Sequence, residues 1–489
     1  MPLTRPWPVE PPTVPFPIIP IDTSSTWVCP WCFVGVVPTG VAFRQSHVRT
    51  ARAFPDAMFH VKQFIALQCD KEQMFHVKHP VAEHEAKLGL AFLGEERPPT
   101  GGAHESIGRL MIEKICMVLI FVGVAVGVGI YCRRHTGSVD GFILGGRNVG
   151  PWLSAFAFGT SYFSAVIFVG YAGQFGWKYG VAATWIGIGN AILGSLLAWW
   201  VLGPRTREMT HRLGASTMPE FFGARFQSKG LRIAAAAIIF VFLIPYTASV
   251  YNGLSRLFGM AFGLPYEVCV IGMAVITCVY VVLGGYMATV MNDFIQGIVM
   301  LLGIVAVIVA VLVNNGGFTE ALTTLSLIPA EGSEMAGPFV SFFGPNLPDL
   351  IGVIVLTSLG TWGLPQMVQK FYAIKSGPAI KQGAIISTVF AMVVAGGSYF
   401  LGGFGRLYGD QVEMTAAGTP VYDSIMPTML STLPDLLIGI VIVLVLSASM
   451  STLSSLVLTS SSTLTLDLLK DNVVKNMSEK KISWCTCAC

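Results

Sequence analysis

The chain has 489 residues, of which 53% are hydrophobic and only 12% charged, with a formal net charge of +3. Soluble globular chains carry about 25% charged residues, so this composition excludes a soluble protein and predicts a polytopic membrane protein. A charge so close to neutral gives no footprint for nucleic acid and matters only through its distribution between loops.

Residues 1–110 differ in character from the rest: they are rich in Pro and hold six of the eight histidines. They carry neither an apolar run long enough to span a bilayer nor a helical period. Met58-Phe-His-Val-Lys-Gln63 recurs as Met74-Phe-His-Val-Lys-His79. Phe-His-Val-Lys can be encoded by TTTCACGTGAAA, its own reverse complement, which resembles the chromosome-partition palindromes of bacteria. The expectation is a read-through extension with the native start at Met111. Under that expectation Cys29-Pro-Trp-Cys32 is no redox pair, and His60, His76 and His79 are no metal cluster. Residues 482–489, with Cys485, Cys487 and Cys489, read as an aberrant tail after the domain at 111–481. Cys116, Cys132, Cys269 and Cys278 fall in or beside spans and suit apolar packing.

From Met111 onward, apolar runs of roughly 20 residues occur at about 112–132, 151–173, 182–203, 232–262, 266–284, 293–313, 348–372, 380–405 and 434–466. Arg133, Arg134 and Arg147, then Arg205, Arg207, Arg212, Arg225 and Lys229, then Lys370, Lys375 and Lys381, then Lys470, Lys475, Lys480 and Lys481 all fall on one side if the spans alternate. The loop 314–347 opposite has no Lys or Arg. The positive-inside rule then puts Met111 outside and Lys470 in the cytoplasm, with 284–293 as a neutral cytoplasmic loop.

The second span is interrupted by Gly159-Thr-Ser-Tyr-Phe-Ser-Ala165 and the seventh by Gly360-Thr-Trp-Gly-Leu-Pro365. Unwound backbone at membrane depth is tolerated where it binds an ion or lines a cavity. Pro365 removes a helix hydrogen bond, and Gly363 is expected to allow close approach. Two interruptions five spans apart are the signature of an inverted repeat of five helices. In the ninth span Ser447, Ser451, Ser455 and Thr459 step by four and form a polar stripe down one helix face, either interhelical glue or oxygen ligands for a cation.

Gly145-Gly-Arg-Asn-Val-Gly150, the run Gly284 to Gly297, Gly363-Leu-Pro-Gln366 and Ser449-Met-Ser-Thr-Leu-Ser454 together resemble the sodium:solute symporter family, over about 112–481. The resemblance implies an all-α, leucine-transporter-like core of two inverted five-helix repeats preceded by one extra helix, with the second repeat incomplete in this chain. It implies a multi-pass protein of the bacterial inner membrane that couples sodium entry to uptake of a small organic solute by alternating access. The solute would be a carboxylate such as pantothenate or an amino acid. The partners are then sodium, the solute and the lipid bilayer; no organic cofactor, nucleic acid or obligatory oligomer is expected.

Family roles fall on matching positions. A cation site would take carbonyls of Thr160 and Phe163 from the first broken helix, with Ala448, Ser451 and Thr452 from the serine-rich one. A second cation site in some members would use Asp293 with Ser451, Ser454 and Ser455. The solute pocket would draw on Tyr162, Ser164, Tyr246, Thr361, Trp362 and Pro365. Proline permeases carry an acid at the position of Tyr162, so the chain departs from them there. A cation channel or membrane sensor accounts for spans and polar stripes but not for paired interruptions. An intramembrane enzyme lacks a base beside any in-span Ser or Cys, His135 and His211 being read as loop residues.

Overall fold

Two helices in this computed structural model stop and restart in mid-course, and the rest of the chain is arranged about them. The structure describes residues 102–133, 138–262, 265–330, 337–416 and 418–470, and Thr486. The Cys29–Cys32 pair, His60, His76, His79, Cys485, Cys487 and Cys489 lie outside the described residues. The first helix, Gly102–Cys132, begins ahead of Met111.

The first broken helix opens at Pro151, whose fixed φ and missing N–H suit the first helical turn, and runs to Tyr162. Phe163 leaves helical geometry at φ −86°, ψ 102°. The chain re-enters a helix through a π-turn at Val166–Tyr171 and continues in Ala172–Tyr179. The second broken helix pairs Leu347–Leu359, capped by the Asn346 side chain on the Asp349 amide, with Pro365–Ala373. A 3₁₀ turn at Gly360–Gly363 separates the halves, which are bent by 54°. Both interruptions fall where the sequence places them. At Gly363, however, an added Cβ would meet nothing within 4 Å, so the break comes from Pro365 and the 3₁₀ turn rather than from close approach.

Among the described residues six helices are long and apolar enough to cross a membrane, or seven if the bent pair counts as one span. The expected loop at 284–293 is absent. Tyr266–Asn314 is one 49-residue helix, kinked where Gly285 adopts φ 54° and ψ −146°. A Cβ there would lie 2.7 Å from the Phe142 carbonyl oxygen, so glycine turns the chain where two spans meet without a loop. Asp293 therefore sits inside the helix, fully buried. Arg205, Arg207, Arg212 and His211, read as loop residues, extend the helix Leu197–Leu213. Lys370, also read as a loop charge, lies in Pro365–Ala373 and is 1% exposed.

The serine-rich helix Asp435–Ser462, continued by a π-turn at Thr463–Leu469, is the centre of the bundle. Of its apolar stretch 78% is buried, against 22% for Lys114–Cys132, which places one at the core and the other at the rim. It packs along Tyr266–Asn314 and also meets Lys229–Phe262, Pro151–Tyr162 and Pro365–Ala373. Both broken helices thus lie against the same polar stripe.

Candidate functional site

The stripe meets the first break directly. Ser451 donates from Oγ to the Thr160 carbonyl at 3.2 Å and Thr452 from Oγ1 to the same carbonyl at 3.3 Å. Both hydroxyls also lie 3.1 Å from the Ala448 carbonyl oxygen. Thr452 is 3.5 Å from the Ser161 carbonyl as well. All these groups are fully buried. Phe163, the remaining residue of the expected set, leaves helical geometry at the same break. The Ser451 and Thr452 hydroxyls thus lie 3.1–3.3 Å from the Thr160 and Ala448 carbonyls, and neutral oxygens of this kind are what a hard cation takes as ligands, at roughly 2.3–2.6 Å from the ion. Carbonyl and hydroxyl dipoles bind such an ion without a compensating charge, and so release it readily.

Farther along the helix the stripe meets the second half of the second broken helix, Pro365–Ala373. Ser455 shares a hydroxyl contact of 2.9 Å with Ser161 and accepts a hydrogen bond from Lys370 Nζ at 3.0 Å. Lys370 Nζ is 3.8 Å from Asp293 Oδ2 and 5.2 Å from the centre of the Tyr286 ring. Thr459 donates to Gln369 Oε1 at 3.0 Å. At the stripe's other end Ser447 bonds only back to Val443, at 2.7 Å, and Ser454 turns to the Ser451 carbonyl at 3.0 Å. The structure thus brings Asp293 and Ser455 to one common cation, an ammonium of the chain itself.

The opposite face of the first broken helix lines a small cavity of about 10 Å³, bounded by Phe158, Gly159, Tyr162, Asn190, Ser195, Thr361 and Ser387 among others. This is room for about one water molecule. Asn190 is fixed there because its Oδ1 accepts from Thr357 and Ser358, both at 3.0 Å, which turns its amide nitrogen away from them. Ser195 and Ser387 pair at 2.9 Å, and Tyr162 donates to the Thr357 carbonyl at 3.3 Å.

Of the expected solute-binding residues, Tyr162 and Thr361 line this cavity. Trp362 spends its indole N–H on the Leu193 carbonyl at 3.0 Å, and Pro365 is buried outside the lining. Ser164 and Tyr246 bond to each other instead. The extended turn at Phe163 swings Ser164 toward Lys229–Phe262, where Ala165 comes within 3.1 Å of an ideal Cβ on Gly253. Asn190, Ser195, Ser387 and Lys370 escaped the sequence reading. A polar residue in an apolar span is itself a functional signal, and Asn190 carried it in the third span.

The model of the sodium:solute symporter family matches residues 142–488. The sodium/proline symporter of Escherichia coli K12 is 30% identical over 384 residues, covering 78% of this chain and 74% of that protein. The sodium/proline symporter of Staphylococcus aureus strain JH9 is 31% identical over 360 residues, covering 72% and 68%. A solved structure of a Na+-coupled sialic acid symporter, in its substrate-bound outward-open state, superposes with a TM-score of 0.64 at 18% identity over 77% of each chain. That last likeness is one of fold.

Proposed function

From the premise that this chain belongs to the sodium:solute symporter family, we propose that it draws a small carboxylate-bearing solute, such as pantothenate or an amino acid, across the bacterial inner membrane on a sodium gradient. Sodium-coupled solute transport is the family's activity; the solute class, the membrane and the residue roles are our reading. The observation that carries it is the pair of donations from Ser451 and Thr452 to the Thr160 carbonyl, because these join the first broken helix to the serine-rich helix through oxygens alone.

Sodium arriving among these oxygens takes over the Thr160 carbonyl, and Ser451 and Thr452 turn their lone pairs to it. The two helices are then held by an ion rather than by two hydrogen bonds. Thr160 follows Gly159, which lines the cavity. One helical turn therefore offers its carbonyl to the cation on one face and its neighbours to the solute on the other. Each ligand orders the unwound turn that the other needs, which is a source of coupling.

The lining of the cavity supports a carboxylate held by neutral donors. Asn190, Ser195, Thr361 and Ser387 supply hydrogen bonds, Phe158 and Tyr162 supply apolar walls, and no lining residue is charged. The cavity is far smaller than such a solute, so binding requires the broken helices to move apart.

The deciding experiment is uptake of radiolabelled pantothenate and proline into liposomes containing the purified protein. Accumulation under an inward sodium gradient, abolished when potassium replaces sodium, is the expected result. Sodium flux through the protein that no added solute alters would instead favour a cation channel.

A further inference from the structure

Lys370 is a charge in an unusual place. Its side chain is 1% exposed, on the second half of a broken helix, and it reaches the serine-rich helix and Tyr266–Asn314 at once. Its ammonium has three partners: the Ser455 hydroxyl at 3.0 Å, the Asp293 carboxylate at 3.8 Å and the face of Tyr286 at 5.2 Å. Asp293 and Ser455 are also two of the oxygen-bearing side chains that the sequence offers for a second sodium ion.

We propose that Lys370 is a tethered cation: its ammonium stands where a second sodium ion would bind, so the protein takes up one sodium ion per cycle. The inference rests on the symporter reading above. It follows from how the serine hydroxyls are already used and from the charge that faces Asp293. Ser455 accepts from Lys370 and shares its remaining contact with Ser161. Ser454 is turned back to its own helix, and Ser451 belongs to the first cluster. Among the described residues Asp293 makes no hydrogen bond through either carboxylate oxygen, but its charge faces the ammonium at 3.8 Å, and the pair is neutral. A sodium ion on the same carboxylate would lie about 4 Å from a like charge, which lowers its affinity by a factor on the order of a thousand in a partly shielded site. An ammonium on a four-carbon stem also cannot leave with the solute. It neutralises Asp293 in every state in which the three helices stay together, without consuming the gradient.

The test counts sodium ions on the purified full chain in detergent by equilibrium binding of radioactive sodium. The parent protein should bind one ion per chain with a Hill slope of one. Lys370→Met and Lys370→Gln free Asp293 and Ser455 and should bind two, with the slope rising above one; Lys370→Arg should stay at one. Two ions on the parent protein would overturn the proposal, whether or not the variants fold. So would a folded Lys370→Met or Lys370→Gln that still binds one. No sodium binding by the parent at all would instead remove the symporter reading of the Thr160 cluster.

Discussion

Arg232 donates from Nε to Asp467 Oδ1 at 2.7 Å and from Nη2 to the neighbouring Leu466 carbonyl at 2.9 Å, locking the end of the serine-rich helix to the helix Lys229–Phe262. Thr217, the cap of Met218–Phe226, adds a hydrogen bond to Asp467 Oδ2 at 2.6 Å. The carboxylate is fully buried while the guanidinium side chain is 29% exposed. Removing the acid therefore leaves a cation that water can still reach. Asp467→Asn should lower stability by about 2 kcal/mol, between the ~0–1 kcal/mol of exposed pairs and the ~3–5 kcal/mol of fully buried ones. Thermal melting in detergent measures it, and an unchanged melting temperature would show that the lock contributes nothing.

Ser451 and Thr452 carry the second prediction. Ser451→Ala and Thr452→Val each remove one oxygen from the cluster at the Thr160 carbonyl while changing side-chain volume little. Losing one ligand of roughly 1–3 kcal/mol corresponds to a rise of about 5- to 150-fold in the sodium concentration needed for half-maximal uptake. Expression should change far less. The same sodium dependence in both variants as in the parent would return the stripe to a packing role.

Both breaks and the central stripe were legible in the sequence because each is local: a glycine-containing polar run, a Pro after a glycine pair, hydroxyls stepping by four. What escaped it depends on distance in the fold. Lys370 is grouped in the sequence with the basic residues that follow the seventh span, yet the helix that restarts at Pro365 carries its ammonium inward to Ser455. Ser195 and Ser387 lie 192 residues apart and become a pair only when their helices meet. Ser164 went astray for the opposite reason, since one extended residue at Phe163 reverses which neighbour the next side chain faces.

Glycine contacts give a third prediction, with its own control. A Cβ on Gly176 would fall 2.1 Å from the backbone of Gly402, and one on Gly402 would fall 2.0 Å from the Ala172 carbonyl oxygen. Backbone on both sides cannot rotate away. Gly176→Ala should therefore force Ala172–Tyr179 off Gly377–Gly402 at a cost of about 3 kcal/mol or more. Gly363→Ala, where the space is open, should cost no more than about 0.5 kcal/mol. Melting temperatures of the two variants should differ clearly, and equal values would mean that the helices do not approach as closely as described.

The hydroxyl pair of Ser195 and Ser387 separates solute binding from sodium binding. Both side chains line the cavity, on the face of the first broken helix away from the Thr160 carbonyl cluster. If they hold the solute, Ser195→Ala and Ser387→Ala should each raise KM for the transported solute about tenfold, as expected for losing one hydrogen bond of ~1.4 kcal/mol in a dry site. The double variant should fall short of the product of the two, because each single change already breaks the bond between them. Sodium binding measured without solute should keep its affinity in all three, since no oxygen of the cation cluster is touched. Uptake kinetics and sodium titration on the same preparations decide the matter: an unchanged KM alongside weakened sodium binding would place the cavity on the ion's path and move the solute elsewhere.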